Sequence, residues 1–256
     1  MLKSLQCLIV MLSFLLLAFQ CGTGDSDILE GDGKGGSITR FAVHQGYMYA
    51  LNQNEVQTFS LQNPDKPLLV HRLATDYGLE TIIIYDNTIF IGSTTALYIL
   101  SIENPAAPVL LSKTPDQINI GGRCDPVVVK GNYAYSTAKI IQNICGNVSS
   151  QSALLTYDVT DKTRPKLKSF VELNLPNGLG YKDNLLFVCD EGFDKVLVFD
   201  IAQPDDPQPT NLDFALTDPI DLIVDGQKMI VSTRSDFYVF DLSDPQNIRK
   251  IGQIAR

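Results

Sequence analysis

From about residue 38 onward, apolar residues return at every second position, not at every third or fourth. The runs are short, rich in β-branched and aromatic residues, and bounded by Gly, Asn, Asp and Pro, which predicts strands and not helices. A first run (Phe41 to His44, Thr81 to Ile84, Pro126 to Val129, Leu179 to Tyr181, Asp221 to Val224) leads into a turn at Gln45-Gly46, Asp86-Asn87, Gly131-Asn132, Asp183-Asn184 or Gly226-Gln227. Such dipeptides accept positive φ cheaply, so each reads as a hairpin. A second run follows: YMYAL, TIFIG, YAYST, LLFVC and KMIVS.

The third run is a phrase spelled five times: TFSLQNPDKP, ILSIENPAAP, TYDVTDKTRP, VFDIAQPDDP and VFDLSDPQNI, centred on Ser60, Ser101, Asp158, Asp200 and Asp241. The centres recur at roughly forty residues, with a longer third unit, which is the period of a repeat architecture. Prolines such as Pro64, Pro105 and Pro204 close the phrase, and a ladder cannot run straight through them. A reversal is expected there, followed by a more polar fourth run such as LLVHRL or IRKIGQI, suited to an outer edge.

Each unit therefore reads as a four-stranded antiparallel meander, over residues of about 38–75, 79–115, 124–173, 176–216 and 219–256. One such sheet has two apolar faces and cannot cover both. Radial stacking covers them, and a closed ring leaves no terminal face exposed, so an all-β, five-bladed β-propeller is the expected fold class. The first unit supplies all four of its strands and the last ends in its own fourth, so blades one and five are expected to meet by side-chain packing alone.

The stretches VVVKGNYAYSTAK, LLFVCDEGFDKVLVFDIAQPDDP and DFYVFDLSDP resemble the LVIVD-repeat family of bacterial proteins, whose units carry a YAYVAD…LxVIDVSDPxxP phrase. The resemblance covers roughly residues 38 to 256. Units one and two depart from it, with Ser60 and Ser101 where the family has Asp. It implies a propeller in a surface or envelope setting, and no agreed activity.

Ahead of the repeats, residues 1–20 read as a targeting segment. Lys3 gives a short positive region, and Leu8 to Phe19 form an apolar stretch short for a membrane span. Cys21 then follows, which resembles a bacterial lipoprotein signal with Cys21 as the acylated residue. Residues 21–37 are Gly-rich and acidic and read as a flexible tether. The GDGKGG tract within them matches a dinucleotide pattern but lacks the strand and helix that pattern needs. The resulting expectation is a chain lipid-anchored to the outer membrane, touching the membrane only through its anchor. A formal charge of −9 and a pI near 4.6 argue against nucleic acid as a partner.

Of the remaining cysteines, Cys145 falls in the extra segment of unit three and Cys124 just before that unit's first strand, so a Cys124–Cys145 disulfide is expected in an oxidising envelope. Cys189, within a second strand, reads as a small buried hydrophobe. The only histidines, His44 and His71, belong to no nucleophile motif, and G-x-S-x-G and H-E-x-x-H are both missing. Aligning the units on their hairpin turns places Glu80, Asp125 and Asn177 in one column and Asp221 in the next, where the first strands begin. Oxygen ligands converging on a channel mouth suit Ca²⁺, as in propeller lactonases. Polar residues lining a wet channel, or Arg40 and Arg123 paired with the carboxylates, account for the same pattern. The DEGFD tract from Asp190 reads as a solvated loop. Two readings stay open: a non-catalytic scaffold or binding module for a protein or glycan, and a divalent-cation-dependent, lactonase-like hydrolase.

Overall fold

Short alternating runs separated by turn residues give five antiparallel sheets in chain order. The computed structural model describes residues 39–94, 96–115, 122–144, 147–150 and 152–256, and of these the side chains at 115, 122–125, 140–144 and 147–150 lie outside the description. Blade 1 comprises Phe41–His44, Tyr47–Asn52, Glu55–Ser60 and Leu68–Ala74. Blade 2 comprises Leu79–Tyr85, Thr88–Ser93, Ala96–Ser101 and Val109–Pro115. In blade 3, Gly122–Lys130, Tyr133–Ile144, Ser152–Asp158 and Lys166–Leu173 carry an added strand, Asn147–Ser150, which pairs with the far end of the second strand. Blade 4 runs Pro176–Lys182, Leu185–Asp190 and Lys195–Asp200, with an outer edge broken into Gln208–Pro209 and Phe214–Ala215. Blade 5 is Pro219–Asp225, Lys228–Thr233, Asp236–Asp241 and Arg249–Ala255. Among the described residues no helix is long and apolar enough to cross a membrane.

The recurring phrase has a recurring job. Its central side chain accepts a hydrogen bond from the amide two residues on: Asp158 from Thr160 at 3.0 Å, Asp200 from Ala202 at 2.8 Å, Asp241 from Ser243 at 2.9 Å. Ser60 and Ser101 do the same at 3.4 and 3.3 Å, so the serine units keep the turn with a longer bond. The next residue (Leu61, Ile102, Val159, Ile201, Leu242) sends its amide back to the first hairpin, to the carbonyls of Gly46, Asn87, Asn132, Asn184 and Gln227. That hairpin in turn needs a positive φ at its first position, which Gln45, Asp86, Gly131, Asp183 and Gly226 all adopt. One end of every blade is thus knotted by the same two loops.

Each sheet packs against its sequence neighbours. The second-strand side chains Tyr49, Phe90, Tyr135 and Phe187 face the following blade and are buried. Tyr49 and Tyr135 also carry a hydroxyl across the interface, donating to the carbonyls of Pro105 and Pro204 at 2.9 Å. Burial pushes the Tyr49 hydroxyl up to about 12.

The expected closure of the ring is not made by these faces. Blade 1 presents Phe41, 57 % exposed, where the equivalent Ile82, Val127, Leu179 and Leu222 are 3 %, 4 %, 0 % and 1 % exposed, and beside it Val43, equally exposed, where Val129, Tyr181 and Val224 are buried. Blade 5 presents Ile230 at 39 %, in the column where the other four blades bury an aromatic ring. Both terminal faces therefore stand uncovered among the described residues.

Candidate functional site

The opposite end of the blades, where first strands begin and second strands end, is less uniform from unit to unit. Its common device is a register shift. The ladder between first and second strands slips between Leu79 and Thr81, between Pro176 and Leu179, and between Pro219 and Asp221. In blade 3 the slip lies opposite Ser136 and Thr137. A bulge turns a strand and re-aims its side chains, and a one-residue offset sends a side chain to the other face.

This matters for the four oxygen-bearing residues singled out by turn alignment. Glu80 is the extra residue of its bulge and Asn177 sits inside a wider one, whereas Asp125 and Asp221 are ordinary ladder partners of Thr137 and Ser232. Glu80, Asp125 and Asn177, which turn counting puts in one column, do not share one register position, because counting back from a hairpin ignores the bulges. Glu80 and Asp221 are half-buried. The Asp125 side chain lies outside the described residues, as do the side chains of Arg123 and Cys124; Cys21 and Cys145 lie outside them altogether. Among the described residues no three His, Cys, Asp or Glu side chains gather in a group that could hold a metal ion.

Asn177 instead joins three blades. Its Nδ2 donates to Glu191 Oε2 and to the Pro219 carbonyl, both at 3.2 Å, and its backbone carbonyl accepts from Thr137 Oγ1 at 2.8 Å. Its Oδ1, the atom a cation would use, accepts from the Lys139 ammonium. Arg234 of blade 5 grips Glu191 Oε1, and its Nε lies 3.7 Å from Asp218 Oδ1. The Arg234 hydrogen bond holds the Glu191 carboxyl below its ordinary value, aided by Asn177 and by the Lys139 charge. Glu191 belongs to the DEGFD tract, but neither Lys139 nor Arg234 belongs to a motif, and no spacing in the sequence brings the three together. Arg40, expected near the carboxylates, donates to the Leu79 carbonyl at 3.3 Å and so ties blade 1 to blade 2.

The DEGFD tract corrects the expectation of a solvated loop at its first residue. Asp190 is fully buried and its two oxygens accept from the amides of Asn174, Leu175, Gly192 and Phe193 at 2.9 to 3.2 Å. A carboxylate so placed serves the four amides that turn the chain on either side of it. Asp194, at positive φ, takes the Asp218 amide at 2.9 Å and extends the tie to blade 5. Beside it, Cys189 is buried as expected. Burial first, and the charges of Asp221 and Asp190 after it, push its thiol well above the usual range, which keeps it protonated and unreactive.

On blade 2 the same end carries Tyr98, whose hydroxyl donates to Asp76 Oδ2 at 3.0 Å while Lys113 pairs with the same carboxylate. Burial and this hydrogen bond take the Tyr98 hydroxyl up to about 12. Blade 3 adds its hairpin here, since the second strand runs on from Ala138, opposite Cys124, to Ile144 before turning. The chemistry at this end is thus ion pairs and amide-bearing carboxylates, with no base aligned on a nucleophile among the groups described above.

No family model matches the sequence, and no curated protein does. Solved structures do resemble the fold. A functionally unknown protein from Desulfotomaculum acetoxidans aligns at a TM-score of 0.63 with 13 % identity, over 89 % of this chain and 71 % of that one. A protein from Lactobacillus plantarum aligns at 0.60 with 12 % identity, over 84 % and 70 %. Luciferin-regenerating enzyme aligns at 0.58 with 13 % identity, over 88 % and 78 %. At these identities the likeness shows the fold alone, and that fold is of the β-propeller type.

Proposed function

We propose that this chain is a non-catalytic cell-envelope lipoprotein whose propeller-type domain serves as a scaffold or binding module for a protein or glycan. The observation that carries this reading is the engagement of Asn177. Its oxygen faces the Lys139 ammonium and its amide faces Glu191 and Pro219, so blades 3, 4 and 5 are braced at the end where a cation-dependent hydrolase would gather its ligands. The blade 3 hairpin extends from that same end and enlarges the surface on offer. The apolar leader, Cys21 and the acidic tether support anchoring to the bacterial outer membrane, and the charge of −9 disfavours nucleic acid. The resemblance of the repeat phrase to LVIVD-repeat proteins supports the same envelope setting, and a Cys124–Cys145 disulfide belongs with it.

Two experiments test the reading. Labelling with a palmitate analogue in a bacterial host is expected to mark the wild type and not Cys21→Ser; unlabelled wild type overturns the anchor. Purified protein assayed on a panel of lactones in millimolar calcium is expected to show no turnover above buffer. Turnover that EDTA removes and Asp221→Asn abolishes would establish the hydrolase with Ca²⁺ as cofactor.

A further inference from the structure

The uncovered faces of blades 1 and 5 are not random apolar patches. Each is one half of an interface the molecule builds four times internally. Toward a preceding blade, every unit offers apolar side chains in the columns of Phe41 and Val43, aliphatic except for Phe41 and Tyr181. Toward a following blade, it offers the column of Ile230, flanked in blade 5 by its ladder partners Ile223 and Val239. Ile223 is 44 % exposed and Ile254, which pairs with Phe237 on that same face, is 64 % exposed. The terminal faces are therefore complementary to each other, and among the described residues each lacks its mate.

We infer that a second copy of this chain supplies it, blade 5 of one copy packing on blade 1 of the next. Closure within one copy would change the angle at four internal interfaces whose side chains are packed shut, and close-packed interfaces do not deform continuously. A second copy requires no such change. The rims agree with the pairing. Inside the molecule the last residue of a first strand reaches the next blade's turn: the Gly131 amide donates to Tyr85 Oη at 3.0 Å, and Lys130 Nζ donates to Asn184 Oδ1 at 2.7 Å. In blade 5 that position is Asp225, an exposed acceptor, and blade 1 offers the turn at Gln45.

Size sets the strength. A face of four strands by six residues measures about 20 by 20 Å, so one contact covers about 400 Å² on each partner, below the range of a stable protein interface. The association is consequently weak, with a dissociation constant of about micromolar order. It is also directional, since two unlike faces meet head to tail.

Sedimentation velocity or light scattering on the full chain, from about 1 to about 500 µM, tests this. The wild type is expected to gain mass with concentration, while Phe41→Lys and Ile230→Lys each remain monomeric with an unchanged melting temperature, both sites being exposed. An equimolar mixture of the two variants retains one intact face of each kind and is expected to form a dimer and nothing larger. Wild type that stays monomeric throughout overturns the inference, and so does a Phe41→Lys variant that still dimerises. A Val43→Cys/Ile230→Cys double variant that oxidises to an internally linked monomer would show closure within one copy and overturn it equally.

Discussion

The two ends of the blades follow opposite rules. At the hairpin and proline end, the same side-chain-to-amide bond and the same strand-to-hairpin amide are rebuilt in every unit. At the other end some devices are shared, as in the Ser93 and Thr233 hydroxyls that turn blades 2 and 5 alike, but each of the larger networks belongs to particular blades: Asp190 of blade 4 gathers four amides, Asn177 of the same blade reaches into blades 3 and 5, Tyr98 and Lys113 share Asp76, and blade 3 grows a hairpin. Repetition marks what any stacked sheet needs in order to reverse its chain. Divergence marks where the requirement is particular to one blade, and that is where recognition can be placed without cost to the repeat.

Removing Asp190 should strain the comparison most. Asp190→Ala strands four amides around a fully buried position and is expected to cost about 3 kcal/mol or more, lowering the melting temperature by roughly 10 °C in a thermal unfolding experiment. Asp190→Asn should recover part of that loss. Next comes Gly78, at φ +93°, where an added Cβ would collide with Thr94. Gly78→Ala is expected to cost about 1–3 kcal/mol in denaturant unfolding. At the repeated end, Asp200→Ala should cost only about 1 kcal/mol, since it breaks one exposed turn of five equivalent ones.

The smallest effect is one of pH. Glu191 and Asp241 both have folded values below their ordinary ones, Glu191 through Arg234 first and Asp241, at about 2, through the Ser243 turn first. A depressed carboxyl contributes stability above its unfolded value of about 4, and that contribution fades as pH falls through the folded value. An acid titration of unfolding should therefore show stability lost from about pH 4 down toward 2. Arg234→Ala should flatten only the Glu191 share. Their partners Arg234 and Arg249 are about two-thirds exposed, so solvent screening keeps the change small.

The repeated end could be read from the sequence because its determinants are local. Period-two runs, turn dipeptides and the five-fold phrase lie within a few residues of what they control, so hairpins such as Phe41–His44 with Tyr47–Asn52 stand where the pattern puts them. The divergent end could not. Lys139, Asn177, Glu191 and Arg234 come from three blades and meet only when the sheets stack. The bulges at Glu80 and Asn177 slip the register that turn counting assumes. Asp190 looked like one acid among several, because nothing local reveals that four amides converge on it. The uncovered faces of Phe41 and Ile230 were equally hidden, since both residues are as apolar as their buried counterparts.

The central claim is that the divergent end is braced by the protein's own ion pairs and not by a bound cation. Thermal unfolding of the wild type in EDTA and across a calcium series to about 10 mM tests it directly, because any ion bound only by the folded state raises the melting temperature with concentration. The account predicts one melting temperature throughout, with Arg234→Ala lowering it equally in both conditions. A midpoint that climbs with calcium and ceases to climb in Glu80→Gln or Asp221→Asn would contradict it.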